Sequence, residues 1–107
     1  MKRLNRILPV AFQGELGAFS QQAIQQLLGR KAQPVPHQRF DQAFAALKAG
    51  EVDAAVIPLE NTLAGSVHEN YDLLLKYPFT ITAETSVRVI HNLIAPPGVT
   101  VHFTRMV

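Results

Sequence analysis

The sequence predicts an α/β fold built on an open parallel sheet with flanking helices. Short apolar runs rich in β-branched residues alternate with stretches whose apolar residues recur at helical spacing. Glycines and prolines separate these elements, and the connections are short. Strands that alternate with helices in this way pair in parallel and are joined by right-handed crossovers.

The composition is that of one small globular domain. Of 107 residues, 48% are hydrophobic and 17% are charged, which leaves enough apolar surface for a core. The formal charge of +2 comes from scattered Lys and Arg and does not indicate a nucleic-acid partner. No apolar run approaches the ~20 residues that span a bilayer, and no signal-peptide pattern is visible. We therefore expect a cytoplasmic protein with no membrane partner.

The first half of the chain predicts two strand–helix units. Pro34 and Pro36 interrupt the second strand, which an edge position in a sheet tolerates. Gly29 and Gly50 end the two helices in the manner of C′ glycines. Ser20 either caps the first helix or lies inside its first turn. In chain order the elements are a buried strand (7–12), a helix (18–28), a weak strand (32–37) and a helix (41–49).

The second half predicts a buried strand (54–57), a third helix (66–76), a β-rich stretch (80–95) and one more short strand (99–107). Ser66 with Glu69 three residues later fits a capping box at the start of the third helix. The β-rich stretch fits one long strand or two. The apolar face of the third helix is predicted to consist of Val67, Tyr71, Leu74 and Leu75.

Two turns carry candidate binding groups. The loop from Gln13 to Ser20 has two glycines and precedes a helix, so its backbone N–H groups can bind a carboxylate or phosphate. A simple tight turn fits this loop equally well, and its glycine spacing is not that of a dinucleotide or P-loop motif. Polar residues Asn61 and Thr62 end a buried strand, where α/β sheets bind ligands. A turn with an N-cap at Ser66 explains that second segment equally well.

The spacing of the histidines does not indicate a metal site, and the sequence has no cysteine that could supply a thiolate ligand. His68 and Glu69 begin like a zinc motif, but Asp72 stands where the second histidine is needed. His37 and His91 lie on or near predicted strands, and His102 lies near the end of the sequence. No Ser-His-Asp arrangement can be inferred from the spacing.

Five segments resemble, in the same order, the motifs of prephenate dehydratases. Several motifs in one order are more specific than any one motif alone. Together they extend the resemblance from about residue 10 to residue 98. The segments are Ala11–Ala23, Phe40–Phe44, Gly50–Val67, Tyr71–Leu74 and His91–Ala95.

This resemblance implies a fold similar to type II periplasmic binding proteins, in which two α/β lobes enclose the active site. Residues 1–78 would be the first lobe, and residues 79–107 a crossover and the incomplete start of the second lobe. The implied reaction converts prephenate to phenylpyruvate, water and carbon dioxide in phenylalanine biosynthesis, and it needs no cofactor. The residues implied to bind the substrate are Ala18, Phe19, Ser20, Asn61, Thr62 and Gly65.

The sequence also departs from the family pattern. Two departures are minor: Thr62 stands where serine is more common, and Glu15 where proline is common. The family's Ser-His-Pro segment and its Thr-Arg-Phe motif, whose threonine is the expected general acid, do not occur here. Residues 104–106 look similar to the latter but lie too early, so no catalytic residue is assigned.

The resemblance therefore implies a truncated chain, with the first lobe and only the beginning of the second. The β-rich stretch would lack its family partners, and an unpaired strand edge favours a homo-oligomer, including one with exchanged strands. The alternative interpretation is a non-catalytic module that binds small carboxylates. A third is a regulatory fragment that pairs with an intact enzyme.

We predict that the purified chain alone forms phenylpyruvate from prephenate far more slowly than intact dehydratases. Loss of one general acid removes about 10²–10⁴ in rate, and loss of the opposing lobe removes positioning as well. Steady-state assays of phenylpyruvate release measure this directly. Turnover near that of an intact enzyme would contradict the prediction.

Overall fold

Three layers make up the fold, with one helix on one face of a central sheet and two helices on the other. The computed structural model describes residues 7–61, 65–87 and 89–98. Its elements are β1 (Leu8–Gln13), α1 (Phe19–Leu28), a 3-10 turn (Gly29–Lys31), β2 (Ala32–His37), α2 (Phe40–Lys48), β3 (Ala54–Asn61), β4 (Gly65–Ser66), α3 (His68–Lys76), β5 (Thr80–Val87) and β6 (Val89–Ala95).

The sheet has the strand order β2-β1-β3-β6-β5, and the short β4 pairs with β3 outside this order. The predicted α/β class with an open sheet and flanking helices is confirmed. Strands β1, β2 and β3 are parallel to one another, as predicted. Strand β6 runs antiparallel to β3 and to β5. The β-rich stretch is thus two strands, and their near-contiguity along the chain permits only antiparallel pairing.

Alternation along β1 and β3 separates the core into two clusters. Because successive side chains of a strand point to opposite faces, each strand contributes to both clusters. On the α1 face the buried cluster contains Leu8, Val10, Phe12, Ala23, Ile24, Leu27, Leu28, Ala54, Val56, Leu93 and Ala95. On the α2 and α3 face it contains Ala11, Ala43, Phe44, Ala46, Leu47, Val52, Ala55, Ile57, Leu59 and Ile94. Burial on both faces explains why β3 is continuously apolar.

Prolines occupy positions in the sheet that do not require their missing N–H groups. Pro34 and Pro36 lie in β2, which is an edge strand as the sequence predicted. Pro9 lies within β1, and its carbonyl accepts a hydrogen bond from the backbone N–H of Asp53 at 2.9 Å. That bond joins β1 to the start of β3. The Pro9 carbonyl thus takes part in the sheet although the Pro9 nitrogen cannot donate.

The third helix differs from its prediction. Ser66 lies in β4, opposite Glu60 of β3, and the N-cap of α3 is Val67 with no side-chain hydrogen bond. The predicted capping box at Ser66 is wrong because the backbone there pairs as a strand. Leu75, predicted to be buried, is 88% exposed, whereas Asn70 is fully buried.

The predicted short strand at 99–107, which includes the segment 104–106, lies outside the described residues. Within the described ranges, no helix has both the length and the apolar character needed to cross a membrane.

We predict that Phe44→Ala destabilises the protein by about 3–5 kcal/mol. Phe44 is fully buried, and its ring centroid lies 5.6 Å from that of Tyr77 and 6.0 Å from that of Phe79. Removal of the ring leaves a cavity where α2 packs against the segment that enters β5. Urea unfolding followed by circular dichroism measures the loss.

Leu75→Ala is the matched control because it removes a similar apolar volume from an exposed position. Its effect on the free energy of unfolding should stay within about 0.5 kcal/mol. Equal losses for the two variants would contradict the description of this core.

Candidate functional site

A hollow of about 250 Å³ lies where the carboxyl ends of β1 and β3 meet the start of α1. Parallel strands end at the same edge of a sheet, so the turns that follow them converge there. The two candidate turns predicted from the sequence follow these two strands. The residues that line the hollow are Gln13, Gly14, Ala18, Phe19, Ser20, Pro58, Val67 and His91.

Gly14 lets the chain turn from β1 into α1 close to the sheet. Its φ of +128° is disfavoured for residues with a side chain, and an added Cβ would lie 3.2 Å from the Cβ of Ala18. The Gly14 N–H donates to the His37 carbonyl at 2.9 Å, and the Gln13 side-chain amide donates to the Gln38 carbonyl at 3.1 Å. These bonds fix the loop to the chain that follows β2.

Ser20 and His91 meet at the inner wall of the hollow. The Ser20 Oγ and the His91 Nε2 are 3.0 Å apart, although the two residues are 71 positions apart in sequence. Ser20 is 7% exposed and His91 is 1% exposed. Ser20 lies in the first turn of α1, and His91 lies in β6 opposite Pro58 of β3. The hydrogen bond therefore joins the helix on one face to the sheet beneath it.

Asn70 supports the same wall from the opposite side of β3. Its side-chain amide donates to the Pro58 carbonyl at 2.8 Å, and the residue is fully buried. The register between β3 and β6 shifts between Pro58 and Glu60, so the ladder is irregular at this point. No donor among the described residues reaches the Asn70 Oδ1. Asn70 thus holds the end of β3 where regular strand pairing is interrupted.

The structure brings together three of the residues that the sequence analysis selected. Ala18, Phe19 and Ser20 line one hollow, with Ala18 as the N-cap of α1 and Ser20 inside the first turn. Asn61 and Gly65 are register partners across the hairpin of β3 and β4. Pro58 and Val67, which flank that hairpin, line the hollow. Thr62 lies outside the described residues.

The sequence analysis missed His91, Pro58 and Val67 as members of this site. A histidine inside a strand whose neighbours include Leu93 and Ile94 was a signal, because a buried polar side chain requires a partner. The sequence could not name that partner, since Ser20 lies in a distant element. Pro58 and Val67 are apolar and give no chemical signal at all.

The lining is mostly apolar and includes no lysine or arginine among its described residues. Its polar groups are the Ser20 hydroxyl, the His91 imidazole and the amide of Gln13. No group of three His, Asp or Glu side chains that could hold a metal ion occurs in the described part of the chain. The hollow is suited to a small organic ligand with an apolar part and an oxygen acceptor.

Glu60 lies near this edge of the sheet and has a hydrogen bond to α3. The Tyr71 hydroxyl donates to the Glu60 Oε1 at 3.0 Å. This bond, together with loss of solvent contact and the charge of Glu60, raises the pKa of the Tyr71 phenol above its ordinary 10.0. Glu60 therefore helps to fix α3 to the end of β3.

An open α/β sheet with a hollow at the carboxyl edge of its parallel strands is the class of fold in which many α/β proteins bind small molecules. Comparison with known proteins makes this class specific. The prephenate dehydratase family model matches residues 10–107. The chain belongs to the prephenate dehydratase family.

The curated relatives are longer proteins. The chain is 43% identical over 98 residues to arogenate dehydratase/prephenate dehydratase 2, chloroplastic, of Arabidopsis thaliana. It is 44% identical over 92 residues to arogenate dehydratase 2 of Petunia hybrida. These matches cover 92% and 86% of this chain but only 26% and 23% of the relatives. The chain thus spans about a quarter of the length of the relatives it matches.

Solved structures share the fold. The X-ray structure of prephenate dehydratase from Streptococcus mutans superposes with a TM-score of 0.75 at 23% identity, covering 82% of this chain and 48% of that one. A structure titled "GqqA- a novel type of quorum quenching acylases" superposes with a TM-score of 0.71 at 30% identity. It covers 88% of this chain and 50% of that one.

We predict that Glu60→Ala lowers the pKa of the Tyr71 phenol toward its ordinary value. The chain has two tyrosines, so Tyr77→Phe provides a background in which ultraviolet absorbance reports Tyr71 alone. Because the folded-state pKa is raised, the stabilisation from this hydrogen bond is present at neutral pH. It is lost as the pH rises through the raised pKa.

Glu84→Ala in the same background is the control, since Glu84 is an exposed carboxylate on β5. It should leave the tyrosine titration unchanged. An unchanged titration in the Glu60 variant would contradict the assignment of Glu60 as the cause.

Proposed function

We propose that this chain forms the substrate-binding first lobe of a dehydratase that acts on prephenate or arogenate. The observation that supports the proposal is a hollow lined by the start of α1 and by residues on both sides of the β3–β4 hairpin. The start of α1 supplies Ala18, Phe19 and Ser20, and the flanks of the β3–β4 hairpin supply Pro58 and Val67. Membership of the family supports the reaction class. The activity of the whole protein is proposed, because the chain covers about a quarter of the length of its relatives.

The chemistry of the hollow suits this substrate class. Prephenate is doubly negative, and the first turn of α1 presents the positive end of the helix dipole. The Ser20 hydroxyl adds a donor. We further propose that Asn61, Thr62 and Gly65 supply donors from the hairpin side. The apolar residues Phe19 and Val67 would contact the ring, and aromatisation drives the reaction without a cofactor.

Binding of prephenate and of arogenate to the chain tests this proposal, because binding does not require turnover. Isothermal titration calorimetry should show saturable binding of at least one of them. Ser20→Ala and Asn61→Ala should each weaken that binding by about 10- to 100-fold, as expected for loss of one hydrogen bond to a charged group. The preferred ligand would identify the substrate.

Gln33→Ala is the matched control, since Gln33 is an exposed amide on the distant edge strand β2. It should leave the dissociation constant unchanged. If neither ligand binds, or if Ser20→Ala and Asn61→Ala both bind as tightly as the parent chain, the proposed site is wrong.

A second candidate function is acyl hydrolysis. The 30%-identical structural neighbour is described in its title as an acylase. The specific observation that favours this function here is the pair of Ser20 and His91, whose Oγ and Nε2 atoms are 3.0 Å apart at the wall of the hollow. A serine hydroxyl at this distance from an imidazole is the arrangement that activates an oxygen nucleophile.

A further inference from the structure

We infer that Ser20 and His91 form a nucleophile–base pair that hydrolyses short, uncharged acyl groups bound in the hollow. This inference rests on the second candidate function and specifies its residues and its substrate class. It does not depend on dehydratase activity.

The geometry of the pair meets the first requirement of nucleophilic catalysis. A general base must lie within about 2.6–3.2 Å of the oxygen that it deprotonates. The 3.0 Å separation of the Ser20 Oγ and the His91 Nε2 lies in that range. With Nδ1 protonated, Nε2 accepts the hydroxyl proton. Because His91 is 1% exposed and lies in a paired strand, its ring does not have to be ordered before reaction.

The position of Ser20 meets the second requirement, which is stabilisation of the developing negative charge. Ser20 lies in the first turn of α1, where the first helical hydrogen bonds are those accepted by the Ala18 carbonyl from Gln21 at 3.1 Å and Gln22 at 3.3 Å. The N–H of Ser20 itself precedes these bonds and does not donate within the helix. The helix dipole also favours negative charge at this end.

The lining of the hollow indicates the substrate class. Ala18, Phe19, Pro58 and Val67 form apolar walls, and no lysine or arginine is present among the described lining residues. These apolar walls suit the chain of an uncharged acyl group. The hollow measures about 250 Å³, below the roughly 300–1,000 Å³ of pockets for drug-sized ligands. This size favours short acyl groups.

The reaction balances with water as the second substrate. The Ser20 Oγ attacks the acyl carbon of an ester or amide while its proton passes to the His91 Nε2. The tetrahedral intermediate then expels the alcohol or amine, which takes that proton. Water attacks the resulting acyl-serine and gives a proton to Nε2. The carboxylic acid leaves, and Nε2 returns the proton to the Ser20 Oγ.

The test combines covalent labelling with turnover on the complete 107-residue chain. An alkyl fluorophosphonate reacts with activated serines by forming an oxygen–phosphorus bond and releasing fluoride. Intact mass measurement and peptide mapping should find one label, on Ser20. Hydrolysis of p-nitrophenyl acetate and butyrate should be measurable, and p-nitrophenyl decanoate should be a poorer substrate because its chain exceeds the hollow.

The variants assign the roles. Ser20→Ala should abolish labelling and reduce ester hydrolysis to the background rate. His91→Gln should reduce kcat by about 10²–10⁴-fold, the usual contribution of a general base. Ser86→Ala and His68→Gln are matched controls at exposed positions and should leave both readouts unchanged. Circular dichroism checks that each variant is folded, and labelling of the parent chain does not depend on any variant.

The outcomes separate this inference from the functions on which it builds. Label on Ser20, with hydrolysis lost in both site variants, supports it. Hydrolysis that persists at the parent rate in folded Ser20→Ala overturns it but leaves acyl hydrolysis as a function of the chain. A parent chain that neither labels nor hydrolyses any ester overturns both. Binding of prephenate or arogenate is judged separately by calorimetry.

Discussion

The burial of β3 on both faces, with a partner strand on each edge at its start, is the constraint on which the rest of the structure depends. Val56 and Ile57 point to opposite faces and are both fully buried. On one edge β3 pairs in parallel with β1, and on the other it pairs antiparallel with β6. A strand enclosed in this way has little freedom of register, because a shift by one residue would exchange its two faces. The register of β3 is therefore fixed, and with it the position of Pro58 at the wall of the hollow.

The hydrogen bond between Ser20 and His91 is the polar counterpart of this apolar constraint. Burial of a hydroxyl or an imidazole costs free energy unless a partner replaces water. Ser20 belongs to the helix layer and His91 to the sheet, so their bond fixes the position of α1 relative to β6. It also leaves both side chains at the surface of a hollow rather than inside the closed core. One contact thus contributes both to packing and to the chemistry that we propose.

The sequence predicted the parts of this fold that depend on local patterns. The first two helices follow from apolar spacing and terminal glycines, and the edge position of β2 follows from Pro34 and Pro36. The direction of β6 did not follow, because its partner β3 lies in a distant part of the sequence and no local pattern encodes that pairing. The local pattern at Ser66 fits a helix cap as well as a binding turn, but tertiary pairing places Ser66 in β4.

The candidate site was predictable to a similar extent. The two turns were visible because each follows an apolar strand and combines glycine with polar residues. Their convergence at one edge followed from the parallel pairing of β1 with β3. The partnership of Ser20 with His91 was not visible, since a hydrogen bond between elements depends on three-dimensional packing rather than on spacing. Local chemistry therefore identified the loops, whereas the inner wall required the fold.

The place of β6 in the sheet has a consequence for folding while the chain is synthesised on the ribosome. A ribosome completes β3 well before it reaches the segment that covers its second edge, because β6 begins only at Val89. During that interval the nascent chain presents an apolar strand with one open row of backbone donors and acceptors, which is a template for association with other chains. Docking of the β5–β6 hairpin closes that row, because β6 pairs with β3 from Ala55 to Asn61.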